Sequence, residues 1–314
     1  MPPASTPTRL PFIDRRIHWP LLGGAFALIA LMLMVWRWGG TVADSQAYYD
    51  TARYLRGEIP ASQLVAPFPY RLLVPSVAAI LPGDLRNTFA TLNWLLVSAA
   101  ACLTSAAVLR AGLGNRRAIV AGLLMTVSLP TFWYAPYLLV DPGSVCARAA
   151  FVLAVLTGQP WLAAAAGLLG TAVREENILL LVWLVAMRRI PLLAGLACLA
   201  AAGGWIVAVR WWLVPGLPGY TWEPSWWTVN HALRDLRSLA SIAGTAILVV
   251  PLALLGWREA PRALRPFASL IVLMALPPLY AALCVRVDGR AVWGLYPFLV
   301  PFAVCYGLSR RTPR

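Results

Sequence analysis

The sequence predicts an all-α protein: a polytopic membrane bundle of about ten transmembrane or half-membrane helices, with amphipathic interfacial helices in the first outer loop. Composition supports this class, because 60% of the 314 residues are hydrophobic, 12% are charged and the mean hydropathy is +0.71. A soluble domain usually has about twice that charged fraction. The uneven distribution of arginine between the two sides of the predicted bundle supports it as well.

Eight apolar segments are long enough to span a bilayer, which takes roughly 17–25 residues. They lie at 19–38, 88–109, 118–137, 139–157, 190–210, 239–257, 267–285 and 291–309. A ninth apolar region, 161–187, has the polar sequence REEN at its centre and is too short for two full spans. We therefore expect it to form a hairpin of two short helices that enters and leaves the membrane on one side.

The arginines favour one orientation of these helices. With the N-terminus in the cytoplasm, fourteen of the 26 arginines and only two of the 12 acids, Asp14 and Glu259, lie on the cytoplasmic side. This asymmetry matches the positive-inside rule. It predicts that both termini are cytoplasmic, that 1–18 is a cytoplasmic tail before an uncleaved signal anchor, and that 39–87 is an outer loop.

Other features exclude several classes of protein. We expect one domain over 1–314, since the chain has no internal repeat and no linker. The net charge of +14 forms no compact basic face and no nucleic-acid motif, so we expect no nucleic-acid partner. The five cysteines lie in apolar runs without metal-ligand spacing, and the two histidines are far apart, which argues against disulfides and a zinc site.

The first outer loop contains the polar sequence DSQAYYDTARYLRGEI, residues 44–59. On a helix of 3.6 residues per turn, Asp44 shares one face with an apolar stripe, while Asp50 lies on the opposite face. The stripe consists of Tyr48, Thr51, Ala52, Leu55 and Ile59. Asp44 is therefore either a catalytic or metal-binding carboxylate or the N-cap of this helix, and the two roles are compatible.

Four more polar positions on the outer side each have a functional and a structural interpretation. Arg71, after three prolines in APFPYRLLVP, is a phosphate ligand or an interfacial anchor with Tyr70. Asp141 is a site residue or a plain helix start before proline. Arg174 and Glu175 bind substrate or form a structural ion pair in the hairpin. Arg290 is a phosphate ligand or part of a turn around Asp288-Gly289.

These residues together resemble the GT-C class of membrane glycosyltransferases, which use polyprenyl-phosphate sugars. The resemblance rests first on an outer loop that begins with Asp44 and continues YY…AR.L..G. It also includes an Asp-Pro at the start of a span (VDPGS), a basic-acidic pair in an apolar hairpin (AVREENILL) and an arginine before the last span (GRAVWGLYPFLVP). Many members have two adjacent acids in the first loop, whereas here Ser45 follows Asp44.

The resemblance implies a site and a reaction. Asp44 would take the position of the first-loop acid, which acts as a base or binds a divalent cation, Mg²⁺ or Mn²⁺, the one cofactor expected. Arg71, Arg174 and Arg290 would bind the lipid phosphate, and Asp141 and Glu175 would be further substrate-binding residues.

The implied partners are a polyprenyl-phosphate-linked sugar donor, membrane lipid, and a glycan, lipid or protein acceptor. The protein would be a short bacterial glycosyltransferase, or a glycosyltransferase-like protein, of cell-surface glycan synthesis. It would act at the outer face of the cytoplasmic (inner) membrane and invert the sugar's anomeric centre. The alternatives are a non-catalytic scaffold and a transporter or flippase of lipid-linked saccharides.

Overall fold

A computed structural model describes residues 17–217 and 223–307 of the chain. Over these ranges the chain forms α-helices joined by turns and 3₁₀ segments, with no β-strand beyond an isolated bridge between Gly40 and Tyr137. The all-α class is confirmed. The helices are α1 Trp19–Met34, α2 Ala43–Leu55, α3 Leu73–Ile80, α4 Leu85–Arg110, α5 Asn115–Thr126, α6 Leu129–Trp133, α7 Asp141–Leu156, α8 Pro160–Val173, α9 Ile178–Ala186, α10 Leu192–Ala208, α11 Trp226–Arg234, α12 Leu236–Gly256, α13 Phe267–Cys284, α14 Arg290–Trp293 and α15 Tyr296–Ala303.

Five helical segments in the described ranges are long and apolar enough to cross a membrane, which supports the membrane class. They are Trp19–Arg37, Leu85–Arg110, Leu192–Leu213, Leu236–Glu259 and Phe267–Cys284. The expected count of about ten helices is not confirmed. Hydropathy detects apolar composition, but it does not show whether the backbone of an apolar segment remains a single helix.

Three of the expected spans are short or broken for identifiable reasons. The segment 118–137 divides into α5 and α6, because the Ser128 hydroxyl caps a new helix that has Pro130 in its first turn. The segment 139–157 forms α7, which has 16 residues. The segment 291–309 divides into α14 and α15, and Pro297 lies in the first turn of α15.

The expected hairpin is present as two short helices, α8 and α9, joined by a 3₁₀ turn at Glu175–Asn177. The helices have 14 and 9 residues, so each is about 14–21 Å long at 1.5 Å per residue. Neither spans a hydrocarbon core of about 30 Å. The turn therefore places Arg174 and the two glutamates at a helix junction rather than inside a continuous helix.

The segment 39–87, expected to be an outer loop, contains α2, α3 and two 3₁₀ turns, Ala61–Gln63 and Phe68–Tyr70. The expected apolar face of α2 is largely buried at Tyr48, Thr51 and Ala52. Arg56, just after α2, donates four hydrogen bonds to carbonyl oxygens at the end of α3, which hold the two helices together. These acceptors belong to Ala78, Ala79, Leu81 and Gly83.

Close packing of α12 against α15 holds the last helices in the bundle. A Cβ atom on Gly256 would lie 2.1 Å from the carbonyl oxygen of Phe302, so only glycine fits at this crossing. The α4 helix packs against α7 and α5 in a core that includes the buried rings of Phe89 and Phe151. This core fixes the ends of α7, α8 and α14, which carry the polar residues of the site.

Candidate functional site

The polar side chains of the expected site converge on one cavity of about 660 Å³. All six residues expected to act, Asp44, Arg71, Asp141, Arg174, Glu175 and Arg290, line it. They come from α2, the loop before α3, α7, the α8–α9 turn and α14. The lining includes six arginines and five acids, namely Arg71, Arg148, Arg174, Arg210, Arg286 and Arg290 with Asp44, Asp141, Glu175, Glu176 and Asp288.

The Asp44 side chain pairs with Arg290 and does not cap the N-terminus of its own helix, α2. Its Oδ2 lies 2.7 Å from Arg290 Nη2, and the Asp44 side chain is 35% exposed. The capping role belongs to Ser45, whose hydroxyl accepts a hydrogen bond from the Val42 N–H at 2.6 Å. The N-cap interpretation of Asp44 is therefore wrong. Its carboxylate lies in the first turn, where the helix dipole favours negative charge.

Arg290 is held from several directions. Asp288 accepts hydrogen bonds from both the backbone N–H and Nε of Arg290, at 2.9 and 3.0 Å, so the expected Asp288-Gly289 turn also orients the arginine. The Gly289 N–H donates to the hydroxyls of Tyr134 and Ser241, each at 3.1 Å. A Cβ on Gly289 would lie 2.6 Å from the Ser241 carbonyl oxygen, so glycine is required for this approach.

Arg174, Asp141 and Glu176 form an ion-pair network at the bottom of the cavity. Arg174 Nη1 lies 2.5 Å from Asp141 Oδ1, and its Nη2 donates to Glu176 Oε2 at 3.2 Å. Burial by itself would raise the pKa of the Glu176 carboxyl, but the guanidinium groups of Arg174 and Arg148 outweigh it and lower that pKa to about 2. Glu176 is therefore ionised and belongs to a set of paired charges.

Arg148 is the main member of the site that sequence reasoning missed. Its side chain is 4% exposed and pairs with Glu176 at 2.7 Å. Its Nε donates to Asn177 Oδ1 at 2.7 Å and its Nη1 to the Gly294 carbonyl at 2.8 Å. The sequence did contain a signal for this residue. Arg148 is an arginine within an apolar segment, two helical turns after Asp141, and such a charge is a functional candidate by default.

Arg71 forms the other side of the cavity with Tyr48. The Arg71 side chain is 12% exposed, so it is not an interfacial anchor. Its Nη1 donates to the Tyr48 hydroxyl. Burial raises the pKa of Tyr48, so its phenol keeps its proton. Glu175 lies 3.7 Å from Arg71 Nε and 3.0 Å from Arg210 Nη2, and Arg210, which was also missed, lies over the Tyr70 ring.

Three buried polar atoms at the cavity make no hydrogen bond: Arg71 Nε, Arg174 Nε and Asp141 Oδ2. Arg174 Nε lies 3.2 Å from Glu176 Oε1, close enough for ionic attraction but in a geometry without a hydrogen bond. Buried polar groups in native proteins nearly always have partners. These two donors and one acceptor are therefore the unsatisfied polar atoms among the cavity's charged side chains.

Apolar residues in and just after α13 also line the cavity. Pro277 and Pro278 lie inside α13 and line the cavity with Ala281 and Val285. Two exposed tryptophans, Trp211 and Trp212, follow Arg210 at the end of the α10 segment. Tryptophan is enriched at membrane–water interfaces. The cavity lining thus contains both charged and apolar side chains.

The residues present fit a divalent cation poorly. Within residues 17–217 and 223–307, no group of three or more His, Cys, Asp or Glu side chains could hold a metal ion. Asp288, the second acid that pairs with Arg290, accepts from Arg290 Nε with both carboxylate oxygens. The guanidinium of Arg290 lies between the two acids and would repel a cation there.

The chain matches no known family model, no curated protein and no solved structure. In the part of the chain that the structure describes, the fold and the cavity define it as an all-helical protein that has five helices long and apolar enough to cross a membrane and a cavity lined by paired charges.

Proposed function

We propose that this protein is an inverting membrane glycosyltransferase that transfers a sugar from a polyprenyl-phosphate donor to an acceptor at the outer face of the cytoplasmic membrane. The observation that carries the proposal is the convergence of Asp44, Arg71, Arg174 and Arg290 on one cavity. Such a reaction needs a carboxylate to take a proton from the acceptor and cations beside the departing phosphate. The cavity provides both kinds of group.

Asp44 is the proposed base. One of its oxygens binds Arg290, which fixes the carboxylate, and the side chain is 35% exposed to the cavity. The acceptor hydroxyl gives its proton to this carboxylate as the hydroxyl oxygen bonds to the anomeric carbon. The bond from that carbon to the phosphate oxygen breaks, and polyprenyl phosphate leaves with the electron pair.

The arginines stabilise the phosphate as it leaves. A guanidinium group offers several N–H donors in a fixed plane and is a strong phosphate ligand. Arg71 and Arg174 each have an Nε–H without a hydrogen bond at the cavity. Positive charge fixed in advance at the leaving oxygen costs no reorganisation during the reaction. The proposed mechanism needs no metal ion.

The test is lipid analysis of a strain that lacks the protein. Mass spectrometry of lipid extracts should show an accumulated polyprenyl-phosphate sugar, because its consumer is missing. Complementation with the wild-type chain should remove this lipid, whereas Asp44→Asn at equal abundance should not. An unchanged lipid profile in the deletion strain would contradict the proposal.

A second candidate, a scaffold that binds a lipid-linked saccharide without turnover, is favoured by the pairing of the arginines. Each of the six arginines lining the cavity has an acidic partner within 4.0 Å. Paired cations can hold a site together without chemistry. The scaffold would bind the donor lipid in vitro, but Asp44→Asn would then complement the deletion as well as the wild-type chain.

A further inference from the structure

Glu175 lies between two arginines that belong to different parts of the chain. Its Oε2 is 3.7 Å from Arg71 Nε, and its Oε1 is 3.0 Å from Arg210 Nη2. The Glu175 side chain is 25% exposed, and that of Arg210 is 47% exposed. A single carboxylate thus lies between two guanidinium groups, and the three side chains together carry a net charge of +1.

The neighbouring glutamate is held very differently. Glu176 makes hydrogen bonds of 2.7 Å to Arg148 and 3.2 Å to Arg174. Glu175, in contrast, makes one hydrogen bond, to the exposed Arg210, while its approach to Arg71 is too long for one. The two consecutive acids therefore differ in how firmly they are bound, and Glu175 is the one that an incoming anion can replace.

Arg71 and Arg210 are incompletely satisfied by this carboxylate. Arg71 Nε is buried and has no hydrogen-bond partner. Arg210 lies on a wide π-helical turn, Val209–Leu213, a distortion that is frequent at functional sites. A phosphate group has more acceptor oxygens and more negative charge than a carboxylate, so it satisfies two guanidinium groups better.

We propose that Glu175 holds the place of a phosphate group, and that the phosphate monoester of an isoprenoid lipid displaces it from Arg71 and Arg210. The inference rests on the proposed function, in which the monoester is the product that forms when the sugar leaves the phosphodiester donor, and it adds Arg210 to the residues that bind this lipid phosphate. With six arginines and five acids, the cavity lining carries a net charge of +1 when no ligand is bound, which favours an anion. The exposed tryptophans that follow Arg210, Trp211 and Trp212, lie where the lipid chain would enter from the bilayer interface.

If the phosphate displaces Glu175, removing this acid from the binding site should strengthen the binding of the lipid phosphate. We would measure the affinity of the purified, detergent-solubilised protein for farnesyl phosphate. Glu175→Gln should bind it about fivefold more tightly, the effect of removing a competing ion pair. Arg210→Gln should bind it about tenfold more weakly, the effect of losing a charged hydrogen-bond partner.

The matched control is Glu58→Gln, which changes the net charge equally. Glu58 pairs with Arg53 on the surface and does not line the cavity. Its variant should bind farnesyl phosphate as the wild-type chain does. Farnesol and inorganic phosphate are the two ligand controls, and both should bind more weakly than farnesyl phosphate.

The outcomes separate the inference from the proposed function. If the wild-type chain binds farnesyl phosphate but Glu175→Gln binds it no more tightly, the displacement is wrong and the proposed function stands. If Glu58→Gln gains as much affinity as Glu175→Gln, the gain comes from the change in net charge and not from the cavity. The inference is again wrong in that case. If inorganic phosphate binds as tightly, the ligand is not a lipid headgroup. If the wild-type chain does not bind farnesyl phosphate, both proposals fail.

Discussion

Asp44 and Arg290 are separated by 246 positions in the chain, and their side chains meet at 2.7 Å across the cavity. The pair joins the first turn of α2 to the beginning of α14. It also gives Asp44 a fixed position while part of its carboxylate faces the cavity. A residue in that position can be changed without disturbing the cap of α2, because Ser45 provides the cap.

The first prediction is that Asp44→Asn is stable but nearly inactive. Asparagine keeps an acceptor for Arg290 and removes the basic carboxylate. We expect sugar transfer to fall by about 10²-fold or more, the usual loss for a general base. The control is Asp50→Asn, because Asp50 binds Gln46 and Arg53 outside the cavity lining. Near-normal transfer by Asp44→Asn, or equal losses in both variants, would refute the assignment.

The second prediction concerns the buried network. Glu176→Gln leaves Arg148, 4% exposed, without its acidic partner. An unpaired buried charge costs about 3–5 kcal/mol, so the melting temperature in detergent should fall markedly. Glu175→Gln should change it much less, because Glu175 is more exposed and its contacts are longer. Similar melting temperatures for the two variants would show that the network does not stabilise the fold.

The third prediction is a dependence of stability on pH. The pKa of Glu176 is lowered from its ordinary 4.5 to about 2. A group whose pKa is lower in the folded state stabilises that state above its unfolded pKa, and this contribution disappears as the pH falls toward the folded value. The wild-type melting temperature should therefore decline more steeply below pH 4.5 than that of Glu176→Gln. Parallel profiles would assign the acid sensitivity to other groups.

The fourth prediction is steric. A Cβ on Gly294 would lie 2.5 Å from Arg148 Nη1, an atom that also donates to the Gly294 carbonyl. Gly294→Ala should therefore displace the guanidinium and lower both stability and transfer. Gly204→Ala is the matched control, since no atom lies within 4 Å of the added Cβ in α10 and alanine favours a helix. Equal melting temperatures for both variants would contradict the packing at Gly294.

The fifth prediction is topological. Arg290 meets Asp44 of α2, whereas Val304 and Tyr306 line a second cavity with Arg116 and Arg117, at the start of α5. Residues 290–306 thus run from α2, which precedes α4 in the chain, to α5, which follows it. Neither α14 nor α15 is long enough to cross a membrane alone. A reporter fused after Gly307 should read cytoplasmic, like one after Arg117, and one near Ser62 should read external. An external signal after Gly307 would exclude the crossing.

The sequence was sufficient to predict the all-α class and six of the residues that line the cavity. Polar side chains such as Asp44 and Arg290 stood out because apolar segments surround them, and the arginine distribution placed them on one side of the bundle. Their partners could not be predicted, since composition does not show that Asp44 pairs with Arg290. Arg148 was missed because it is a single charge in an apolar run whose partners lie 28 and 29 positions further on.

The number of continuous spans was predicted less well. Hydropathy does not detect that Ser128 starts a new helix, or that Pro297 lies at the beginning of α15. These breaks depend on a capping side chain or on a proline that lacks a backbone N–H. Each involves only one or two residues, so the mean hydropathy of the segment hardly changes.

The pairing of Arg148 with Glu176 has a consequence for biosynthesis. The ribosome makes Arg148 well before it makes Glu176, so α7 emerges with a cation that has no partner. Such a charge at the centre of a lone helix costs about 2.5–3.5 kcal/mol on insertion scales. We therefore expect the translocon to retain α7 until the α8–α9 hairpin follows, and the three helices to enter the lipid together. Nascent chains truncated before residue 176 would then remain associated with the insertion machinery.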